Sequence, residues 1–430
     1  MKPTRRGFLQ GAGVAAAAAL VPPFAAAEEQ KPPLPEPIAR LKSRKAEAKP
    51  ITKEEREQRL ERARELMAAN KLDALFLCGG TSLRYFSGIS WWLSERLFAM
   101  VVPAKGKPFF VCPAFEHDRA MEQVEAGLGS KDPEMRLWQE DESPYQRVAE
   151  GLKARGIAGG KLGIEETVYW VYSEGVGKAA PALQLASATA VTAGCRMIKS
   201  AHELALMQLA NEVTLAAYQA AYESTKPGMT QRDFARFVEQ AHEQQGFDGG
   251  AGVQVGEFSA LPHGSVKPQV IKEGEILLVD GGCKVEGYSS DISRTFVLGK
   301  PTDKMKQVFE VEHRAQSAAL AAAKPGVPCE AVDAAARKVI TDAGHGPDYN
   351  RFTHRVGHGI GMDVHEWPYL VRGNQLKLAP GMCFSDEPGI YLRGEFGVRL
   401  EDDMHITESG AELFTPQSPS LEDPFGKSTT

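Results

Sequence analysis

The chain has 430 residues, 50 Lys and Arg against 56 Asp and Glu for a net charge of −6, and an apolar content of 43%. That is the composition of a soluble globular protein, and its acidic balance argues against nucleic acid as a partner. The length exceeds what one hydrophobic core organises, so two domains are expected.

Residues 1–27 read as a targeting segment. Thr4-Arg5-Arg6-Gly7-Phe8-Leu9 precedes an alanine-rich apolar stretch from Gly11 to Leu20, and Ala25-Ala26-Ala27 forms a small-residue cleavage site. The paired arginines followed by Phe-Leu resemble a twin-arginine export signal, which carries proteins already folded and implies a periplasmic or exported product. Removing the segment takes away three basic residues and leaves a net charge of about −9. No other stretch is long and apolar enough to cross a bilayer.

Residues 28–50, rich in Pro, Glu, Lys and Ala, read as a flexible linker without core-forming residues. Order is expected from Thr52, where Thr52-Lys-Glu-Glu55 makes a capping box ahead of a helix with Leu60, Ala63 and Leu66 on one face. From residue 51 to 194, apolar strands at Asp73–Cys78, Leu97–Val102 and Phe109–Val111 alternate with helical stretches, the pattern of a small α/β domain. It carries no phosphate-binding glycine loop and no histidine cluster, which points to a supporting role. The six cysteines are spread along the chain without a CxxC pair and read as buried free thiols, with disulfides after export as the alternative.

Residues 195–415 form the second expected domain, opening on the capping box Ser200-Ala-His-Glu203, and 416–430 read as a disordered polar tail. The second domain contains a degenerate repeat. Each half has a long helix, Lys-Pro-Gly (Lys226–Gly228, Lys324–Gly326), a second helix, a histidine-bearing segment and a hairpin with carboxylates; Gly274 precedes Asp280 by six positions, as Gly381 precedes Glu387. In the first hairpin Asp280 and Asp291 are equidistant from a turn centred between Val285 and Glu286, and in the second Glu387 and Glu401 are equidistant from Gly394. Each pair is therefore expected face to face across its ladder. Facing carboxylates repel unless a cation lies between them. The alternative is solvated acids at hairpin ends. Four acids at matched positions favour two divalent ions.

The stretch His354-Arg-Val-Gly-His358-Gly-Ile-Gly-Met-Asp-Val-His365-Glu366 holds three of the ten histidines. A helical zinc-type pair would run through Gly357, Gly359 and Gly361 at roughly 1 kcal/mol each, so an irregular segment in close backbone contact with something is expected. On its own the run is either a site or a histidine-bearing loop.

Together these motifs resemble the pita-bread metallohydrolases, which include aminopeptidase P, prolidase, methionine aminopeptidase and creatinase. The His354–Glu366 run matches the proline-peptidase signature, and Tyr85-Phe86-Ser87-Gly88 resembles the creatinase-type N-terminal domain. The resemblance implies an α/β N-terminal domain on a duplicated, pseudo-two-fold α+β catalytic domain. It implies two divalent metals (Mn, Co or Zn, with Mn favoured): Asp280 on one, Asp291 and Glu401 bridging, His358 and Glu387 on the other. It also implies a bridging hydroxide as nucleophile, Glu387 as proton shuttle, and His263, His354 and His365 lining the substrate site. Arg399, two positions before Glu401, is expected to orient that carboxylate, or else to pair at the surface with Asp402 or Asp403. The implied activity is hydrolysis of the bond before proline in peptides or dipeptides by a homodimer. The alternatives are a hydrolase or lyase of a small non-peptide metabolite on the same metal frame, and a non-catalytic binding module.

Overall fold

The computed structural model describes residues 33–426; the expected signal segment lies outside them. Contrary to the expected linker, the chain is already packed after Pro35. Helix α1 (Glu36–Ala39) buries Ile38 completely against the second domain, and Arg44 bonds the carbonyl of Gln245 through its backbone and Glu212 through its side chain at 2.8 Å. Ile38 and these polar bonds dock a stretch whose composition is mostly polar.

Helix α2 (Lys53–Asn70) starts on the capping box at Thr52 and Glu55, with Leu60, Ala63 and Met67 buried. Strand β1 (Ala74–Cys78), helix α3 (Thr81–Ser87), strands β2 (Ala99–Pro103) and β3 (Phe109–Pro113), helix α4 (His117–Leu128), strand β4 (Glu134–Trp138), helix α5 (Pro144–Ala154), strand β5 (Gly160–Ile164), helix α6 (Trp170–Ala179), strand β6 (Leu183–Ser187) and helix α7 (Thr189–Arg196) follow. The six strands form one mixed sheet in the order β4-β3-β2-β1-β5-β6. All five residues of β1 are buried. Leu75 and Leu77 join one core with α2, while Ala74, Phe76 and Cys78 join the core on the opposite face, so alternate side chains of a central strand serve both layers.

The second domain repeats a helix pair. Helices α8 (Ala201–Ser224) and α9 (Gln231–Gln245) precede strands β7 (Gly249–Val255), β8 (Ile276–Val285), β9 (Tyr288–Ser289) and β10 (Ile292–Val297). Helices α10 (Asp303–Ala322) and α11 (Cys329–Ile340) precede β11 (Gly357–Gly359), β12 (Glu366–Leu370), β13 (Cys383–Asp386), β14 (Gly389–Leu392), β15 (Phe396–Arg399), β16 (Asp402–Ile406) and β17 (Ala411–Leu413). The repeat extends to individual bonds. Gly228 donates to Ile271 as Gly326 does to Leu378, and Gly274 donates to Leu298 as Gly381 does to Ile406, all at 2.8–2.9 Å. These four glycines have positive φ, which a side chain would strain.

One sheet runs β10-β8-β7 and the other β12-β11-β13-β16-β17, joined by a reciprocal bridge between Ser293 and Glu401. The residues after Pro416, expected to be disordered, pack as far as they are described. Leu421 is buried and accepts from the backbone of Val297, and Phe425 lies against Phe296 and Tyr222. All six cysteines are buried free thiols, as expected.

Candidate metal centre

The second hairpin keeps the expected register. Asp386 pairs with Asp402 and Gly389 with Arg399, so Glu387 and Glu401 fall at equivalent positions where the strands part. The first hairpin is displaced. Glu286 (φ 50°) and Gly287 (φ 92°) form its two-residue turn, as a hairpin requiring two left-handed residues demands. The turn centre therefore moves one position, and Asp280 faces Ser293 while Asp291 lies diagonally across, in register with Gly282. Both aspartates still share one face.

Three overlapping groups of ligand atoms result, each within 4.8 Å: Asp280, Asp291 and Glu401; His358, Glu387 and Glu401; and Asp291, His358 and His365. All five expected ligands are thus brought together, and His365, expected only at the substrate, reaches ligand distance with its ring 3.8 Å from that of His358. His358 is buried. Its Nδ1 donates to the carbonyl of Gly359 at 3.1 Å, leaving Nε2 without a hydrogen bond, 3.2 Å from Glu387 Oε1 and 3.6 Å from Asp291 Oδ2. A buried ring nitrogen aimed at carboxylates, with Nδ1 held from the other side, is where an imidazole ligand would take a cation in place of a proton, and the hard oxygen-rich set fits divalent ions.

The electrostatics agree. Burial, then repulsion from neighbouring acids, pushes Asp291 and Glu401 well above the usual carboxylate range. Burial also opposes ionisation of Glu387, but His358, His354 and Arg399 outweigh it and hold the group at about 2. Burial likewise opposes protonation of His358, and Glu387 and Asp291 outweigh it, lifting the imidazole to about 9. Concentrated negative charge of this kind favours cations.

The glycines of the histidine run permit close approach, as expected. A Cβ on Gly357 would sit 2.0 Å from the carbonyl oxygen of Ser385, and one on Gly359 2.5 Å from that of Glu366. The Asp333–Arg337 pair on α11 anchors the run's start: Asp333 accepts from Val356 N–H at 3.0 Å, and Arg337 donates to the carbonyls of Phe352 and His354.

Arg399 is buried, and its partner corrects the expectation. Nη2 pairs with Asp280 at 2.8 Å, whereas Glu401 lies 4.0 Å from Nε and is reached through Ser293. The Ser293 hydroxyl accepts from Arg399 Nε at 2.9 Å and lies within hydrogen-bond distance of Asp280 (2.9 Å) and Glu401 (2.7 Å). Asp402 is paired with Arg294 instead, and Asp403 accepts from Asp291 N–H. Arg399 Nη1 donates to Tyr391 Oη at 3.0 Å, and the tyrosine hydroxyl lies 2.8 Å from His354 Nε2. Ser385 accepts from His358 N–H and donates to Glu387 Oε1 at 3.1 Å.

Ser293, Tyr391 and Ser385 escaped the sequence reading, although Ser293 stands two positions after Asp291 and so shares its face. His263 is exposed and joins none of the ligand groups; its neighbour Pro262 accepts from Arg399 Nη1 at 3.0 Å, which tethers that segment to the site.

Residues 205–408 match the model of metallopeptidase family M24, and residues 59–198 match the creatinase/prolidase N-terminal domain. The Xaa-Pro dipeptidase of Lactobacillus delbrueckii subsp. lactis is 35% identical over 371 residues, 84% of this chain and 98% of that protein. The chain belongs to metallopeptidase family M24. The M24 fold is shared with the dipeptidase PepE structure from Mycobacterium ulcerans, at TM-score 0.81 and 34% identity over 87% of this chain and 99% of that one. A dipeptidase structure from Pyrococcus horikoshii OT3 gives TM-score 0.76 and 31% identity over 85% and 99%. Membership makes the chain a metallopeptidase that uses divalent metal ions and acts on peptides. Residues 2–22 match the twin-arginine translocation signal, so the chain is exported by that route, and among the described residues no helix is long and apolar enough to cross a membrane.

Proposed function

We propose that the mature enzyme hydrolyses the bond before proline in Xaa-Pro substrates in the periplasm, as a homodimer using two divalent ions, Mn favoured. The observation that carries this is the cluster of four carboxylates, Asp291 and Glu401 buried and Asp280 and Glu387 half-buried, beside the unpartnered Nε2 of buried His358, in a chain whose relatives bear the name Xaa-Pro dipeptidase. Asp280, Asp291, His358, Glu387 and Glu401 would hold the ions, Asp291 and Glu401 each belonging to two of the ligand groups. Bound there, divalent ions supply an activated water at neutral pH and polarise the scissile carbonyl.

The protein's own groups manage protons and orientation. Glu387, fixed by Ser385 and with Oε2 3.9 Å from His354 Nδ1, accepts the proton released by the attacking water. Proline nitrogen carries no hydrogen in the peptide, so the leaving amine must gain one, and the proton taken up by Glu387 is passed to it. Arg399 donates to Tyr391, which leaves the tyrosine O–H free to point at His354 Nε2 and holds that imidazole toward the cleft. His365, exposed beside His358, and His263, on the segment tethered through Pro262, flank the substrate.

The test is a substrate panel with Mn, Co or Zn added in turn to mature protein: Ala-Pro, Ala-Ala and Ala-Pro-Ala. Metal-dependent cleavage of Ala-Pro well above Ala-Ala supports the proposal. An enzyme that binds metal yet leaves both proline peptides intact overturns it.

A further inference from the structure

His365 stands beside the metal centre without a bond of its own. Its ring lies 3.8 Å from that of His358, yet among the described residues its side chain makes no hydrogen bond and no ion pair. The residues around it are held instead. Lys284 Nζ donates to the carbonyl of Met362 at 2.8 Å and Ser289 N–H to that of Gly361 at 2.7 Å, which fixes the start of the irregular segment 360–365. Its end is fixed by two carboxylates that bracket His365, those of Asp363 and Glu366.

Both carboxylates are met from the N-terminal domain. Strand β1 ends at Cys78, and Gly79-Gly80 turns the chain into α3. Gly80 has φ 135°, and a Cβ on Gly79 would lie 2.6 Å from the carbonyl oxygen of Trp91, so the turn requires glycine. Thr81 thereby opens α3 where its hydroxyl donates to Asp363 Oδ1 at 2.5 Å. At the end of α7, buried Arg196 donates to Asp363 Oδ2 and Glu366 Oε2, and buried Lys199 donates to Glu366 Oε1 at 2.7 Å. Gly361 makes room for that last pair, since a Cβ there would lie 2.5 Å from Glu366 Oε1 and 2.9 Å from Lys199 Cε. Thr81 and Arg196 both fall within the match to the creatinase/prolidase N-terminal domain.

Buried ion pairs lose in desolvation much of what their attraction returns, so this network adds little to stability. What it supplies is geometry, because a planar guanidinium that spans two carboxylates sets the spacing between them. Resting on the Xaa-Pro reading above, we propose that Thr81 and Arg196 are positioning residues of the active site: through Asp363 and Glu366 the N-terminal domain holds His365 beside the metal centre.

Removing Arg196 strips a buried ion pair and endangers the fold, so the experiment is made at Thr81 in the full metal-loaded enzyme. Thr81→Val should lower kcat/KM for Ala-Pro roughly 10- to 100-fold, the range for a partner that orients a group at a metal site, and Thr81→Ser should recover most of that loss. The loss must run through His365. In a His365→Ala background Thr81→Val should cause no further fall, whereas a purely structural role gives effects that multiply. Hydrogen exchange reads the same contact without turnover: amides of residues 360–366 should exchange faster in Thr81→Val, with those of β13 and β16 unchanged. Multiplying effects, an unchanged kcat/KM, a His365→Ala variant as active as wild type, or unchanged exchange in residues 360–366 would each overturn the proposal. If wild type cleaves no Xaa-Pro peptide, the Xaa-Pro reading falls, and the exchange comparison still decides whether Thr81 holds the segment.

Discussion

At the scale of single residues, Ser293 shows how few atoms hold the centre together. Its hydroxyl touches Asp280, Glu401 and Arg399, and its backbone forms the bridge that joins the two sheets. Ser293→Ala removes the hydroxyl and keeps the bridge, so the fold should persist while metal affinity drops roughly 10- to 100-fold, the cost typical of losing a partner that orients ligands. Titration calorimetry on the stripped variant reads this directly; unchanged affinity would mean that Ser293 only fills space. The five residues proposed to hold metal stood out in the sequence because four are acids in two hairpins and one lies inside a glycine-spaced histidine run, and the structure brings their ligand atoms together. Ser293, Tyr391 and Ser385 did not, because a hydroxyl gains its role from what the register brings beside it. The partner of Arg399 was missed for the same reason: Asp280 becomes its neighbour only once the two sheets meet.

At the scale of elements, the two hairpins show where sequence reasoning slips. The symmetry about Gly394 predicted the register of the second correctly, whereas placing the first turn one position early misaligned Asp280 with Asp291. Val285, placed at the turn centre beside Glu286, instead pairs with Tyr288, and Glu286 with Gly287 makes the left-handed turn; glutamate has no evident preference for that backbone. In β11, Gly357 has room for no side chain, since Ser385's carbonyl occupies the place of its Cβ. Gly357→Ala should cost about 3 kcal/mol, the upper range for overpacking, read as a shift in denaturant midpoint; a shift too small to measure would show that β11 and β13 can separate freely.

Helix α9 carries a further test. His242 is buried, with Nδ1 bonded to the carbonyl of Val238, and burial lowers its pKa from 6.5 to about 4. Between those values the unfolded chain binds a proton that the folded chain refuses, so stability is intact above pH 6.5 and falls as the pH drops toward 4. The loss should reach roughly 3 kcal/mol near pH 4, and His242→Gln should flatten that part of the profile. An identical slope in the variant would assign the acid sensitivity to other groups.

At the scale of the whole molecule, the described parts of the segments that composition marked as linker and tail, residues 33–50 and 416–426, belong to the packed structure. Low apolar content argued for disorder, but Ile38 and Leu421 each find a fully buried socket that composition alone does not reveal. Ile38→Ala should therefore lower unfolding free energy by roughly 2 kcal/mol, the low end for a buried aliphatic truncation, and a melting temperature identical to wild type would show that the segment detaches without consequence. The duplicated half-domains, by contrast, were readable because each repeats Lys-Pro-Gly and the glycine six positions before a ligand.

Duplication places one pair of carboxylates from each half at the shared Ser293–Glu401 bridge, and this junction is expected to bind a pair of metal ions. The most direct measurement is calorimetric titration of chelator-stripped mature protein with Mn, alongside Asp280→Ala. Two ions per chain in wild type, with at least one lost in the variant, is the predicted result. No binding in wild type, or the same binding in Asp280→Ala, would contradict it.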